Sequence, residues 1–122
     1  MEKSGSFKDL IVWQKSHAFT LMVYKATEEF PKAEMYSLTS QFRRAFVSIA
    51  ANIAEGYKKK WIKDKLRFYN IAQGSLEECR YYIILSKDLK YIDNDEELNN
   101  QIEEASKLLN SYCRSILNSL NL

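Results

Sequence analysis

Between Arg44 and Glu55 the chain runs for ten residues, Ala45 to Ala54, without a charge, and most of them are small or aliphatic. At about 100° per residue, Leu38, Phe42, Ala45, Ile49 and Ile53 fall on one side of a helix. Val47, Ala50 and Ala54 fall on the far side, where a surface helix would carry Lys or Glu. A helix apolar nearly all round is a buried helix. A chain of 122 residues builds one bundle core, which wraps one face of such a helix. The second face therefore calls for cover from beyond the chain, which makes Val47, Ala50 and Ala54 candidate interface residues. One polar column interrupts the pattern: Gln41, Arg44, Ser48, Asn52 and Glu55, spaced i, i+3, i+4.

The rest of the chain is compatible with more helices of this kind. With one Pro and three Gly, long helices meet few interruptions and an all-β fold lacks turn signals. The first helix is expected from an Asp9 N-cap to about Glu29, with Pro31 as its stop and Phe7 folding back from a loose tail of residues 1–7. The second spans about Tyr36 to Tyr57 and the third about Asp64 to Lys90. The third places Phe68, Ile71, Ala72, Ser75, Cys79, Tyr82 and Leu89 on one stripe. Gly74 sits in its middle, where Gly costs about 1 kcal/mol against Ala. Such a glycine predicts the close approach of another backbone. The fourth helix, about Asp95 to Leu120, has an Asp93-to-Glu96 capping-box spacing. Its core face carries Leu98, Ile102, Ala105, Leu109, Tyr112, Ile116 and Leu120. Four long helices joined by short turns predict an all-α, antiparallel up-down-up-down four-helix bundle, one domain over residues 1–122.

Net charge is only +2, but that topology sorts it. The connection between helices two and three collects Lys58, Lys59, Lys60, Lys63, Lys65 and Arg67 against the single acid Asp64. Trp61, Tyr57, Phe68 and Tyr69 lie among them. Clustered lysines bind phosphates through counterion release, and neighbouring aromatics can stack on unpaired bases. The same residues also fit a solvated turn whose aromatics belong to the core. The opposite end gathers Glu28, Glu29, Glu34, Asp93, Asp95, Glu96 and Glu97 against Lys32, Lys87 and Lys90, and is acidic.

Residue sets for catalysis are missing from this pattern. His17 is the one histidine and lies on the apolar arc of helix one near Trp13, which predicts a core position. Glu28-Glu29, Glu77-Glu78 and Glu103-Glu104 are neighbours that point about 100° apart on a helix, so they do not form acid/base pairs. A di-iron bundle needs a Glu-x-x-His unit from two helices, and one histidine cannot supply that. Cys79 and Cys113, with no CxxC, read as buried free thiols in a reducing cytoplasm. The N-terminal residues have no apolar run that would make a signal peptide, and no window is apolar enough to span a membrane. The expectation is a cytoplasmic, non-enzymatic protein without metal or cofactor.

Arg44, Glu55 and Glu78 are charges on largely apolar faces, and buried charges need partners. They either build a phosphate or carboxylate site around Arg44, or pair within or between subunits to fix the packing register.

Gln41-x-Arg43-Arg44-Ala45-x-x-Ser48-Ile49-x-x-Asn52-Ile53-Ala54-Glu55-Gly56, followed by Phe68-x-x-x-Ala72-x-Gly74-Ser75-x-x-Glu78, resembles a known family. It is similar to the small bacterial four-helix-bundle proteins encoded within intervening sequences of 23S ribosomal RNA genes. Phe7-x-x-Leu10-x-Val12-Trp13-Gln14 and Phe30-Pro31 fit the same pattern, so the matches run from Phe7 to about Ile92. The resemblance implies a bundle that assembles as a homo-oligomeric ring, a pentamer by preference. A related branch is the accessory protein of diversity-generating retroelements, which partners a reverse transcriptase and nucleic acid. Two functions follow as expectations: binding of RNA or DNA through the basic end, or a scaffold that engages a protein partner.

Overall fold

The computed structural model describes residues 5–119, and four α-helices account for most of them: α1 Ile11–Thr27, α2 Leu38–Lys58, α3 Ile62–Asp88 and α4 Glu96–Asn118. Short 3-10 turns at Phe7–Asp9 and Lys32–Glu34 precede α1 and α2. Each helix meets the next in sequence, α4 closes on α1, and the diagonal pairs do not approach. Cross-helix partners run in opposite order along neighbouring helices. Thr20 donates to the Phe46 carbonyl while Arg43 reaches back to Thr27. Ser48 meets Ser75 while Phe42 meets Tyr82. Gln73 donates to Asn110 while Arg80 pairs with Glu103. The result is an all-α four-helix bundle with antiparallel neighbours.

The apolar stripe of α2 supplies the centre of the core, with Phe42, Phe46, Ile49 and Ile53 all sealed from solvent. Phe46 takes the edge of Phe19 from α1 at 4.3 Å and tilts against Phe42 at 5.0 Å. Each such side chain contributes roughly 1.5–3 kcal/mol by leaving water. From α4, Leu98, Ile102, Ala105 and Leu109 close the other side, as its spacing predicts. Leu120 and the tail of residues 1–4 lie outside the described residues.

At one end the two turns are tied together. The Glu34 carboxylate accepts from Ser37 Oγ and from Tyr91 Oη, each at 2.7 Å, and the Tyr91 ring lies 5.3 Å from Phe30. The Ser37 bond, followed by the Tyr91 bond, holds the Glu34 carboxyl below its ordinary value. A depressed carboxyl stabilises the fold when ionised, and that contribution is lost as pH falls through the folded-state pKa.

Several local expectations change. α1 begins at Ile11 with Leu10 as its cap, because the Asp9 carboxylate turns back to accept from the Gly5 and Ser6 amides. Residues 5–7 are accordingly structured: Ser6 caps the first turn and Phe7 lies edge-on to Trp13 at 5.0 Å. The capping box at α4 is not made; Asn94 Oδ1 accepts from the Glu96 amide instead. His17 is exposed, its ring stacked on Trp13 at 4.9 Å, so it is not a core histidine. Ile71 and Leu89 also face outward, since the α3 core stripe passes through Tyr69, Leu76 and Ile83.

The glycines differ most from expectation. Gly74 is exposed, and a Cβ there would meet nothing within 4 Å among the described residues. The close approach is at Gly56, where a Cβ would stand 2.5 Å from Cε1 of the fully buried Tyr69. Gly56→Ala gains helix propensity of about 1 kcal/mol but overpacks a ring with nowhere to move, which costs about 1–3 kcal/mol. A net loss of stability in urea unfolding is expected, and an unchanged midpoint would refute the contact. Lys90 ends α3 in the left-handed region at φ 64°, with the Tyr91 amide bonded to the Ser86 carbonyl at 2.9 Å. Glycine favours that C-terminal position. Lys90→Gly should therefore raise stability by about 1 kcal/mol, read as a higher Tm.

Candidate nucleic-acid interface

The basic segment folds as the sharp connection between α2 and α3, with Lys59, Lys60 and Trp61 outside both helices. The last carbonyls of a helix have no intrahelical donor. Here Lys65 supplies one, its Nζ reaching the Tyr57 carbonyl at 2.6 Å and the Gly56 carbonyl at 3.2 Å. Burial pulls the Lys65 ammonium below its ordinary pKa, and the charge sits 5.4 Å from the Tyr57 ring. Lys65 is thus a structural clasp between the two helices rather than part of an open basic surface. Arg67 pairs with Asp64 at 3.3 Å, an exposed i,i+3 pair of the kind that contributes little.

The other cations remain available. Lys58, Lys60 and Lys63 are exposed, and no carboxylate among the described residues pairs with them. Trp61 is 65% exposed, with the Lys60 ammonium 5.3 Å from its ring centre. Lys59 lies 5.0 Å from the Phe68 ring, and Arg67 flanks the same ring at 5.9 Å. Lys60, Trp61, Ile62, Lys63 and Leu66 line an open, mainly apolar hollow. An aromatic floor ringed by ammonium groups can stack a planar base and hold the phosphates beside it. Tyr69, by contrast, is core: its ring is sealed against Gly56 and Tyr112, and burial raises its hydroxyl pKa.

Within the chain the polar column of α2 makes local bonds. Arg44 bonds Gln41, one turn back, and Glu55 is exposed. Glu78 also faces solvent, accepting from Tyr82 Oη at 2.9 Å, so the three charges do not pair with one another in the chain. Ser48 and Ser75 are 2.8 Å apart and Asn52 donates to Ser48, making the polar seam of α2 and α3. Arg43, to which sequence reasoning gave no role, donates to Thr27 and covers the Tyr24 ring at 4.7 Å. Of the second apolar face, Val47 is 43% exposed, Ala54 is half-buried, and Ala50 is 9% exposed against α1.

Cys79 and Cys113 are buried free thiols, and burial raises the pKa of both. Among the described residues no helix is long and apolar enough to cross a membrane.

Fold and surface together define a class: small helical bundles with one basic, aromatic-bearing end. The chain belongs to the 23S rRNA-intervening sequence protein family, whose sequence model matches residues 8–111. A solved relative is a protein of unknown function from the S23 ribosomal protein family of Bacteroides thetaiotaomicron. It is 28% identical, superposes with a TM-score of 0.79, and the match covers 88% of this chain and 98% of that one. Comparison with curated protein sequences finds no match.

The two kinds of lysine in this turn should separate cleanly. Lys65→Met removes the ammonium that bonds the Tyr57 and Gly56 carbonyls and should lower unfolding stability by about 1 kcal/mol. Lys60→Met, at an exposed position, should stay within about 0.5 kcal/mol of the parent. Equal effects in urea titrations would show that Lys65 is not the clasp.

Proposed function

We propose that the protein is a non-enzymatic homo-oligomer, pentameric by preference, that binds structured RNA or a nucleic-acid–protein complex through the α2–α3 turn. The observation that carries this reading is the exposed Trp61 beside Lys58, Lys60 and Lys63. A solvated turn has no need of a half-stripped indole, whereas a surface that reads phosphate charge and unpaired bases does. Membership of a family named for ribosomal RNA intervening sequences supports the choice of RNA over DNA as the first ligand to test. Repetition round a ring would multiply the cations on one rim and steepen the dependence on salt. A protein-binding scaffold without nucleic-acid affinity is the second reading, and the partly exposed Val47 and Ala54 favour it.

Replacing Lys58, Lys59 and Lys60 with Glu tests the first reading, because all three lie at or beyond the end of α2. Binding to structured RNA should collapse while the helical spectrum and oligomer size stay native. Each phosphate contact removed should lower the salt slope by roughly 0.7–0.9. Trp61→Ala should weaken single-stranded ligands more than duplexes, by about 1–3 kcal/mol per stacked base. Wild-type protein that ignores RNA at low salt, or a triple variant that binds equally well, would leave the scaffold reading in its place.

A further inference from the structure

At the end of α2 away from the basic turn, a second group of cations stands without carboxylates. An open hollow of about 450 Å³ lies where the N-terminus of α2 meets α1 and the turn before it. Tyr24, Tyr36, Thr39, Ser40, Arg43 and Arg44 contribute to its lining, and no acid does. Arg67 and Arg80 pair with carboxylates, but among the described residues Arg43 and Arg44 do not. Arg43 is held by Thr27 and the Tyr24 ring and Arg44 by Gln41, all neutral partners, so their charge is uncompensated. The helix end adds to the same field. The first turn of α2 holds no acid, and Ser37 does not cap it but donates its hydroxyl to Glu34. Glu34 also accepts from the Leu38 amide; the Thr39 and Ser40 amides have no acceptor within the helix. A helix end alone designates no ligand, but Thr39 does. Its side chain is 1% exposed, it lines the hollow, and its Oγ1 has no hydrogen-bond partner among the described residues. A sealed, unbonded hydroxyl is unfavourable, and an acceptor seated in the hollow would relieve it.

The donors select the occupant. Two guanidinium groups, the Thr39 and Ser40 hydroxyls and two amides offer more than the two oxygens of a carboxylate accept. The three terminal oxygens of a phosphomonoester match them, and arginine forks suit that geometry. The hollow also exceeds a bare phosphate, and Tyr36, 96% exposed at its edge, presents a ring on which a planar base can stack. We propose that this hollow binds a nucleoside monophosphate, its phosphate held by Arg43, Arg44, Thr39 and Ser40 and its base on Tyr36. The site is separate from the α2–α3 turn and does not depend on the oligomer proposed above.

Calorimetric titration of the full chain with AMP tests it, with adenosine and inorganic phosphate as separate probes. AMP should bind, and each half alone should bind about tenfold more weakly. Thr39→Val keeps the shape of the side chain and removes the unbonded hydroxyl. Its Tm should hold or rise while its affinity for AMP falls, a combination that a hydroxyl serving the fold alone would not give. Arg44→Gln, at an exposed position, should weaken both AMP and phosphate by about tenfold. Tyr36→Ala should weaken AMP and adenosine by about tenfold and leave phosphate unchanged. Oligoadenylate with a terminal phosphate distinguishes the source of the nucleotide: tighter binding than AMP gives a strand end, weaker binding the free nucleotide. No AMP binding at millimolar concentration, or equal binding by oligoadenylate without a terminal phosphate, overturns the proposal. So do Arg44→Gln and Thr39→Val variants that bind AMP like the parent.

Discussion

The Tyr69 ring lies against the backbone of Gly56, in the space where any other residue would place its side chain. That contact brings α3 onto the last turn of α2, and the features of the basic end follow from it. With the helices this close, the link between them shrinks to Lys59, Lys60 and Trp61. Lys65, one turn into α3, then comes within 2.6 Å of the Tyr57 carbonyl. A partly desolvated ammonium is costly by itself, and helix-end carbonyls are the acceptors that make it tolerable. Three residues of turn cannot bury an indole as well, so Trp61 is left in solvent among the remaining lysines. The exposed site is thus a by-product of tight packing beneath it.

The bundle is held differently at its other end. There the turns are clasped by side chains, with Glu34 accepting from both Ser37 and Tyr91, and Lys87 reaching the Asp93 carbonyl at 2.7 Å. Both ends use an ammonium against a carbonyl, and the second adds hydroxyls against a carboxylate. Their responses to pH therefore differ: acid weakens the Glu34 clasp by protonating it, while Lys65 keeps its charge as pH falls.

Helix number, order and the α2 and α4 core faces were legible in the sequence because they rest on period, which survives without knowledge of neighbours. Contacts that depend on which helix approaches which residue were not. A mid-helix glycine predicts a close approach, yet Gly74 has open space and Gly56, at the quiet end of α2, has the ring. Nothing in the local spacing distinguishes the two; the difference lies in the register of Tyr69, set by the turn. Lys65 was hidden for a similar reason. It reads as one more cation in a run of six until the fold turns its ammonium back onto the preceding helix. His17 sits on an apolar arc, but that arc is wider than the core can cover, and the excess is stacked on Trp13 at the surface.

That excess matters most for what the molecule does. In a monomer that functions alone, exposed Val47, Ile71, Tyr81 and Ile84 would be a solubility liability with little return. The helices carrying them, α2 and α3, also flank the basic turn, so in the homo-oligomer proposed above a contact on their outward faces would fix the spacing between successive Trp61 residues. A single turn with three available lysines offers modest phosphate affinity, whereas an array held at fixed spacing binds with the effective concentration of its neighbours. On the proposed reading the apolar faces and the basic end would be parts of one arrangement: the first would set the geometry in which the second binds strongly.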